Sequence, residues 1–457
     1  MWAGASRNPP PGAPPPELLY DQLEVDILKH LQPWALAKHD TTEWNIDDTG
    51  QVCKPVGMFR QGHEGSGGFR FVEAPGKLYQ MWFSVEMFNL RRIYLDSPHP
   101  KDVPITLNGD ARGHWEGDTF VVDIVGFSDR SWLGSDRHPH TEELHVVERY
   151  RLFGDGAYME LRVFVWDRKA FTTPYTYTRY YKKMPEETVA KENVCNILPP
   201  GENLWRVRRD ALLAEQAAIF SQFMDEYKDR PVPVVNEPAA GTGASAPANP
   251  PASAATLLPQ ARALVGVYAV LPPETATAGG RRGSGPLVRL PLRPAAAATA
   301  RERDMTLDPV AHCQAIGPFR MMGRANTRLE LVATPQQFTM VFEEVALGNR
   351  REVYMRSQHP AKYEPTWLGD SMGSWDGDTL VVETVGFNDR TWLSDDGAPH
   401  GEHLRVVERY RPVEDGKYLE VQVTATDPDV LTAPYTYTRY YARLDTELIE
   451  RFCNEDP

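Results

Sequence analysis

The sequence predicts a mainly β protein, built as two tandem lipocalin-like antiparallel β-barrels, or β-sandwiches, with a few flanking helices. Three observations predict it. The octapeptide PYTYTRYY stands at 174–181 and again at 434–441, and the same 260-residue offset aligns 53–181 with 313–441 without a gap. Over 112–181 against 372–441 the copies agree at 40 of 70 positions, which no compositional bias produces, so the chain is an internal duplication. Each unit spans roughly 150 residues, the size of a whole domain rather than of a solenoid module. Within each unit, short runs rich in Val, Tyr, Phe and Thr alternate with turn sequences such as EGD at 116–118 and GDG at 154–156, the pattern of strands joined by tight turns.

Taken in order, the elements begin with a Pro-rich segment over 1–44. Its stretch 16–37 has apolar residues at helical spacing and reads as one helix broken at Pro33. The first repeat, 45–200, gives strands at 69–74, 78–85, 90–96, 118–127, 142–153, 158–167 and 175–184. An amphipathic helix follows over 203–228, within a segment 201–232, with Leu204, Val207, Leu212, Leu213, Phe220 and Phe223 on one face. The stretch 233–260 turns to Ala, Pro, Gly and Ser, too poor in large apolar groups to offset the entropy of ordering, and reads as a disordered linker. The second repeat, 261–457, opens with a strand at 264–270. Its counterpart 260 residues earlier falls in GASRNPPP, so the first repeat is expected to have lost or replaced it. Seven or eight short antiparallel strands can form a sandwich or a closed barrel. A barrel is preferred because the strands carry polar groups on faces that otherwise look interior, and a small barrel encloses room for one ligand.

Charge and motifs exclude several classes. Lys+Arg 49 against Asp+Glu 63 gives a net −14, which repels a phosphate backbone, so no nucleic-acid partner is expected. No run approaches 18 apolar residues and the N-terminus has neither a basic head nor an apolar core, so neither a membrane span nor a signal peptide is visible. There is no phosphate-binding Gly loop, nucleophile elbow or CxxC, and no cofactor is expected. Of the four cysteines, Cys53 and Cys313 open the repeats while Cys195 and Cys453 close them. Bridges Cys53–Cys195 and Cys313–Cys453 would each add up to about 4–5 kcal/mol and indicate a periplasmic or secreted protein. Four buried thiols are the alternative, compatible with the cytoplasm.

Candidate chemistry comes from carboxylates on apolar faces. The period of two in LHVVERY puts Leu144, Val146, Glu148 and Tyr150 on one face, and TFVVDIV sets Asp123 among Thr119, Val121 and Val125. Desolvation would raise the pKa of such an acid and suit it to general acid or base work. A structural reading competes: a buried Glu held by an arginine of the RYY motifs, Arg179 or Arg439. On the last strand Tyr175, Tyr177, Arg179 and Tyr181 share a face, a tyrosine ladder suited to an aromatic ligand or to cross-strand packing; Trp132 and Trp166 complete the candidate binding set. His140, Glu142 and Asp129 are placed at the mouth. His138, His140 and His145 with Glu142 could ligate zinc, although Pro139 and the spacing fit a hydrogen-bonded loop better. Only His140/His400 and His99/His359 recur in both copies.

The stretches RRIYLDSPHP, GHWEGDTFVVDIVGFSDRSWL, PHTEELHVVERYR and the late CN resemble a largely uncharacterised, often exported bacterial family patterned RxIYxDxxxHP, WEGDTLVVxTxGFNDRTWL, PHxExLHVxERYRR and CNEN. The resemblance spans about 53–196 and 313–455 and implies export and a small β-rich domain, with no activity to carry over. The chain departs by duplicating the unit and by placing Arg356 where the pattern has Asp. The resulting expectation is an enzyme that cyclises, isomerises or dehydrates an apolar or aromatic small molecule inside a barrel by acid–base chemistry. Its counterpart in another class is a carrier using the same cavities.

Overall fold

The computed structural model describes residues 2–4, 9–13, 27–42, 57, 68–82, 90–134, 137–185, 257–272, 290–312, 314–324, 327–343, 350–362 and 364–449. The chain divides into two compact units at 250/251, each a closed barrel of nine strands. Barrel one comprises β1 (Trp2–Gly4), β2 (Phe69–Ala74), β3 (Lys77–Trp82), β4 (Leu90–Leu95), β5 (Asp110–Glu116), β6 (Thr119–Val125), β7 (His145–Phe153), β8 (Tyr158–Trp166) and β9 (Tyr175–Lys183). Barrel two repeats it as β10 (Gly266–Val270), β11 (Arg328–Thr334), β12 (Gln337–Phe342), β13 (Arg350–Met355), β14 (Asp370–Asp376), β15 (Thr379–Val385), β16 (Arg405–Val413), β17 (Tyr418–Thr426) and β18 (Tyr435–Leu444). The tandem barrels of the sequence reading are thus present, and closure rules out the sandwich.

Two strands of barrel one, β1 and β5, and one of barrel two, β14, escape the strands expected, whereas β10 is the opening strand read at 264–270. β5 (DARGHWE) and β14 (DSMGSWD) lack the β-branched signature; each is needed because its glycine faces inward. A Cβ on Gly113 would lie 2.6 Å from the Phe120 ring and 2.7 Å from Ile93, so the residue's smallness lets Phe120 fill the barrel. β1 is the replacement strand. Trp2 pairs with Lys183 and Tyr268 with Arg443, so the structural offset here is 266 residues, not 260, and the alignment missed it by six. The pairing is also not antiparallel throughout: β4 runs parallel to β5, and β13 to β14. The connection 96–109 must therefore cross the outside of the wall, and that crossover carries His99.

The expected helix over 16–37 differs too. Residues 16–26 lie outside the described residues, and the helix seen is α1 (Pro33–Thr41), with Pro33 at its first position. Proline there loses no helical hydrogen bond, so it starts the helix instead of breaking it. α1 buries Trp34 and Ala35 completely and Trp34 Nε1 donates to the Lys169 carbonyl at 2.6 Å. Barrel two carries α2 (Pro259–Leu264), α3 (Pro294–Glu302) in the place of α1, and α4 (Pro318–Gly323), all six of whose residues are buried. α2 takes the last two residues assigned to the linker. The helix 203–228 and all four cysteines lie outside the described residues.

The inner face of barrel one is set by register. Val122, Glu148, Val163 and Tyr177 form one row across β6–β9, and Phe120, Tyr150, Leu161 and Arg179 the next. Asp123 pairs with Val147, one residue out of phase with Glu148, and faces outward.

Candidate functional site

The candidate residues fall into three neighbourhoods, not one cavity. In the centre of barrel one, Glu148 is fully buried against Arg91 of β4, with Nη2–Oε2 at 2.5 Å and Nη1–Oε1 at 3.2 Å. Tyr150 Oη donates to Glu148 Oε2 at 2.7 Å, Gln80 Nε2 donates to Tyr150 Oη at 3.0 Å, and Arg91 also reaches Gln80 Oε1. Burial would lower the Arg91 pKa, but Glu148 and Tyr150 outweigh it and raise it; burial, then Glu148, pushes Tyr150 well up. The acid therefore has its cation and its donors. Barrel two repeats this with Arg351 and Glu408 at 2.5 Å and Tyr410 Oη on Glu408 Oε1 at 2.8 Å, while Ser371 and Thr384 take donors from Arg351. The arginine comes from β4 and β13, not from the RYY motifs: Arg439 instead donates to the Gly323 carbonyl at 2.6 Å, and Arg179 lies 5.7 Å from the Tyr181 ring. A buried ion pair present in both copies reads as a framework for the core.

On the outer wall the crossover meets the sheet. Asp123 Oδ1 faces two imidazoles, His145 Nε2 at 3.0 Å and His99 Nε2 at 3.1 Å. His99 Nδ1 lies 2.6 Å from Asp110 Oδ2, and Asp110 is held by Arg112, Nε on Oδ2 at 2.7 Å and Nη2 on Oδ1 at 2.6 Å. The relay thus runs Arg112–Asp110–His99–Asp123–His145. Its Asp123 end is accessible: the side chains of His99, His145 and Asp123 are 25%, 26% and 40% exposed. Burial would raise the Asp123 pKa, but hydrogen bonds from His145 and then His99 prevail and hold it low. That reverses the expectation of a desolvated acid at this position.

Barrel two keeps the frame and loses the second imidazole. His359 pairs with Asp370 at 2.5 Å, but Glu383 replaces Asp123 and is bound by Arg405, which stands in the place of His145. The departure at Arg356 is also explained. Met372 occupies the position of Arg112, and Arg356, from the next loop position over Tyr354, supplies the guanidinium to Asp370 instead; Arg112 sits likewise 4.4 Å over Tyr94. The two changes preserve one ion pair.

The third neighbourhood is the β6–β7 connection. His140, buried, donates from Nδ1 to the Thr141 carbonyl at 3.0 Å and faces Ser131 Oγ at 3.0 Å through Nε2. Burial lowers its pKa, as it does for His400, which meets Thr391 Oγ1 at 2.8 Å in the same way. Asp167 anchors the loop, accepting from Thr141 N at 2.5 Å and from Lys169 N and Ala170 N. His138 stacks on His39 of α1, centroids 5.6 Å apart and 11° from parallel. Glu142 and Asp129 are exposed; the hydrogen bonds of His140 go to Thr141 and Ser131 and to neither of them, and Asp129 acts on His140 only through its charge. The three-histidine metal set is not assembled: His138, His140 and His145 each have different neighbours, and among the described residues no group of three or more His, Cys, Asp or Glu is arranged to hold a metal.

Of the binding candidates, Tyr177 is fully buried in the row of Glu148, and Tyr175 is buried against Phe171 at 5.2 Å. Trp132 is half-buried, and Trp166 packs from outside, opposite His145. Sequence reasoning missed Arg91, Gln80, His99, Asp110 and Arg112. The signal for three was present, since Arg91/Arg351, His99/His359 and Asp110/Asp370 recur at the 260-residue offset. Among the described residues no helix is long and apolar enough to cross a membrane. Comparison of the chain with protein-family models and with curated proteins finds no match in either.

Proposed function

We propose that barrel one is a small-molecule enzyme working by acid–base chemistry at the His99–Asp123–His145 face, with barrel two a supporting copy. One observation carries the reading: a single carboxylate oxygen is shared by two partly exposed imidazoles, and the copy that has Arg405 in place of His145 loses that arrangement. Imidazole is the side chain whose ordinary pKa lies nearest neutrality, so one ring can take a proton from a substrate while the other returns it. Asp123 would orient both rings and stabilise whichever is charged. Such a pair suits isomerisation, dehydration or cyclisation, and Trp166 beside His145 supports an aromatic or apolar substrate. Export and the bridges Cys53–Cys195 and Cys313–Cys453 belong to the same proposal.

The test is turnover. The full chain is incubated with a metabolite extract and a panel of apolar ring compounds, and conversion is followed by mass spectrometry. His145→Arg, which copies barrel two, and His99→Gln should each lower turnover by about 10²–10⁴-fold, the usual worth of a positioned acid or base. His403→Asn, on the exposed Asp429 pair of barrel two, should leave it unchanged. Turnover that survives both barrel-one substitutions refutes the site, and a ligand retained without conversion supports the carrier.

A further inference from the structure

The two barrels differ at the end where their hairpins turn. In barrel two α2 packs against β11 and β16 there, with Leu264 fully buried and Ala261 nearly so. Its last carbonyls are held by side chains: Tyr268 Oη donates to the Leu264 carbonyl at 3.0 Å and Arg443 Nη2 to the Ala263 carbonyl at 2.6 Å. Leu331, Phe338, Leu380 and Tyr410 line that end of the barrel and are all buried.

At the same end of barrel one the described rim is exposed. Trp115 is 41% and Leu152 50% exposed, and Phe71 and Leu78, the counterparts of Leu331 and Phe338, are only partly buried. The rings around the opening meet edge to face, Phe71 with Tyr150 at 5.4 Å and with Phe120 at 6.3 Å. Among the described residues no helix lies across it. The anchoring positions nevertheless keep their character. Trp2 stands where Tyr268 does and Lys183 where Arg443 does, again directly opposite each other. Each pair is an aromatic ring carrying a hydrogen-bond donor beside a cation, the combination that suits the orphan carbonyls and negative pole of a helix C-terminus.

We propose that this end of barrel one docks the C-terminal turn of an amphipathic helix of a partner protein, one that presents Leu and Ala to Trp115, Phe71 and Leu152 and its last carbonyls to Trp2 and Lys183. The sister barrel supplies the chemistry of the occupant, since α2, there a segment of the same chain, shows what kind of helix covers an end built this way. The proposal is independent of the acid–base face, which lies on the outer wall.

The probe is a fluorescent peptide of residues 255–265, the α2 sequence, titrated into the full chain and followed by anisotropy. Leu152→Glu and Lys183→Glu should each weaken binding at least tenfold, about 1.4 kcal/mol, and Leu307→Glu, on an exposed position of barrel two, should not. Circular dichroism of the variants confirms folding. Absence of binding at about 1 mM peptide, a limit of roughly 4 kcal/mol, overturns the proposal, as does binding indifferent to both substitutions. Three further results overturn it in favour of another occupant. They are a dimer that Leu152→Glu dissociates, a cross-link from Lys183 to residues 186–256 of the same chain, and capture of an apolar dye with no competition from the peptide.

Discussion

His138 shows how much one side chain's surroundings decide. Burial, then His39 and Arg137, push its pKa down to about 3, so the folded protein holds it neutral while the unfolded chain protonates it near 6.5. The unfolded state then binds the extra proton between those values, and stability falls as pH drops from about 6.5 to about 3. Barrel two has Ala398 in place of His138 and, because α3 begins 261 residues after α1, Ala300 in place of His39. Chemical denaturation between pH 4 and 7 should therefore show a shallower acid decline in the His39→Ala, His138→Ala double variant, and an unchanged slope would contradict the account. Asp123 adds a lower window: its folded pKa is depressed, so its contribution is present above the ordinary carboxylate range and is lost as pH falls through the folded value. At the centre of the barrel, Glu148→Gln should cost about 3–5 kcal/mol by stranding Arg91, whereas replacing both by apolar residues should cost much less; denaturant midpoints distinguish the two. The sequence showed Glu148 on an apolar face because strand alternation is local. It hid the pairing of Glu148 with Arg91, because the partner of a buried charge is chosen by barrel closure, across 57 residues.

Among the elements, the legible ones were those whose pattern arises from their own burial. β2, β7, β8 and β9 alternate or run apolar and were found within a few residues of their ends. β5 is polar outside and carries Gly113 inside, so its reason for being a strand lies in Phe120 and Ile93, not in its own propensity. β1 is three residues long and is a strand only because β2 and β9 offer it edges. That makes the closing seam of barrel one slight beside that of barrel two, where β10 pairs four residues with each neighbour. Hydrogen exchange should accordingly be faster for the amides of Tyr181–Lys183 than for those of Tyr441–Arg443; equal protection would show that the short strand suffices. α1 is the opposite case, tied by one buried ring, and Trp34→Ala should lower stability by about 3–5 kcal/mol in thermal or denaturant unfolding.

For the whole molecule, the offset of 260 residues was enough to read two domains, and the strand runs were enough to read barrels. The candidate site was only half legible, because an outer-wall group formed where a crossover meets a sheet leaves no periodicity. Nine is an odd number, and a strictly alternating meander of nine strands would bring its first and last strands together pointing the same way. The single parallel step at β4–β5 restores parity, so β1 and β9 close antiparallel, and chain entry and exit lie side by side at one end. Each barrel is thereby a cassette: it can be copied behind itself, or spliced into another chain, without rerouting a strand. A gene duplication at this locus needed no new fold, only a joint.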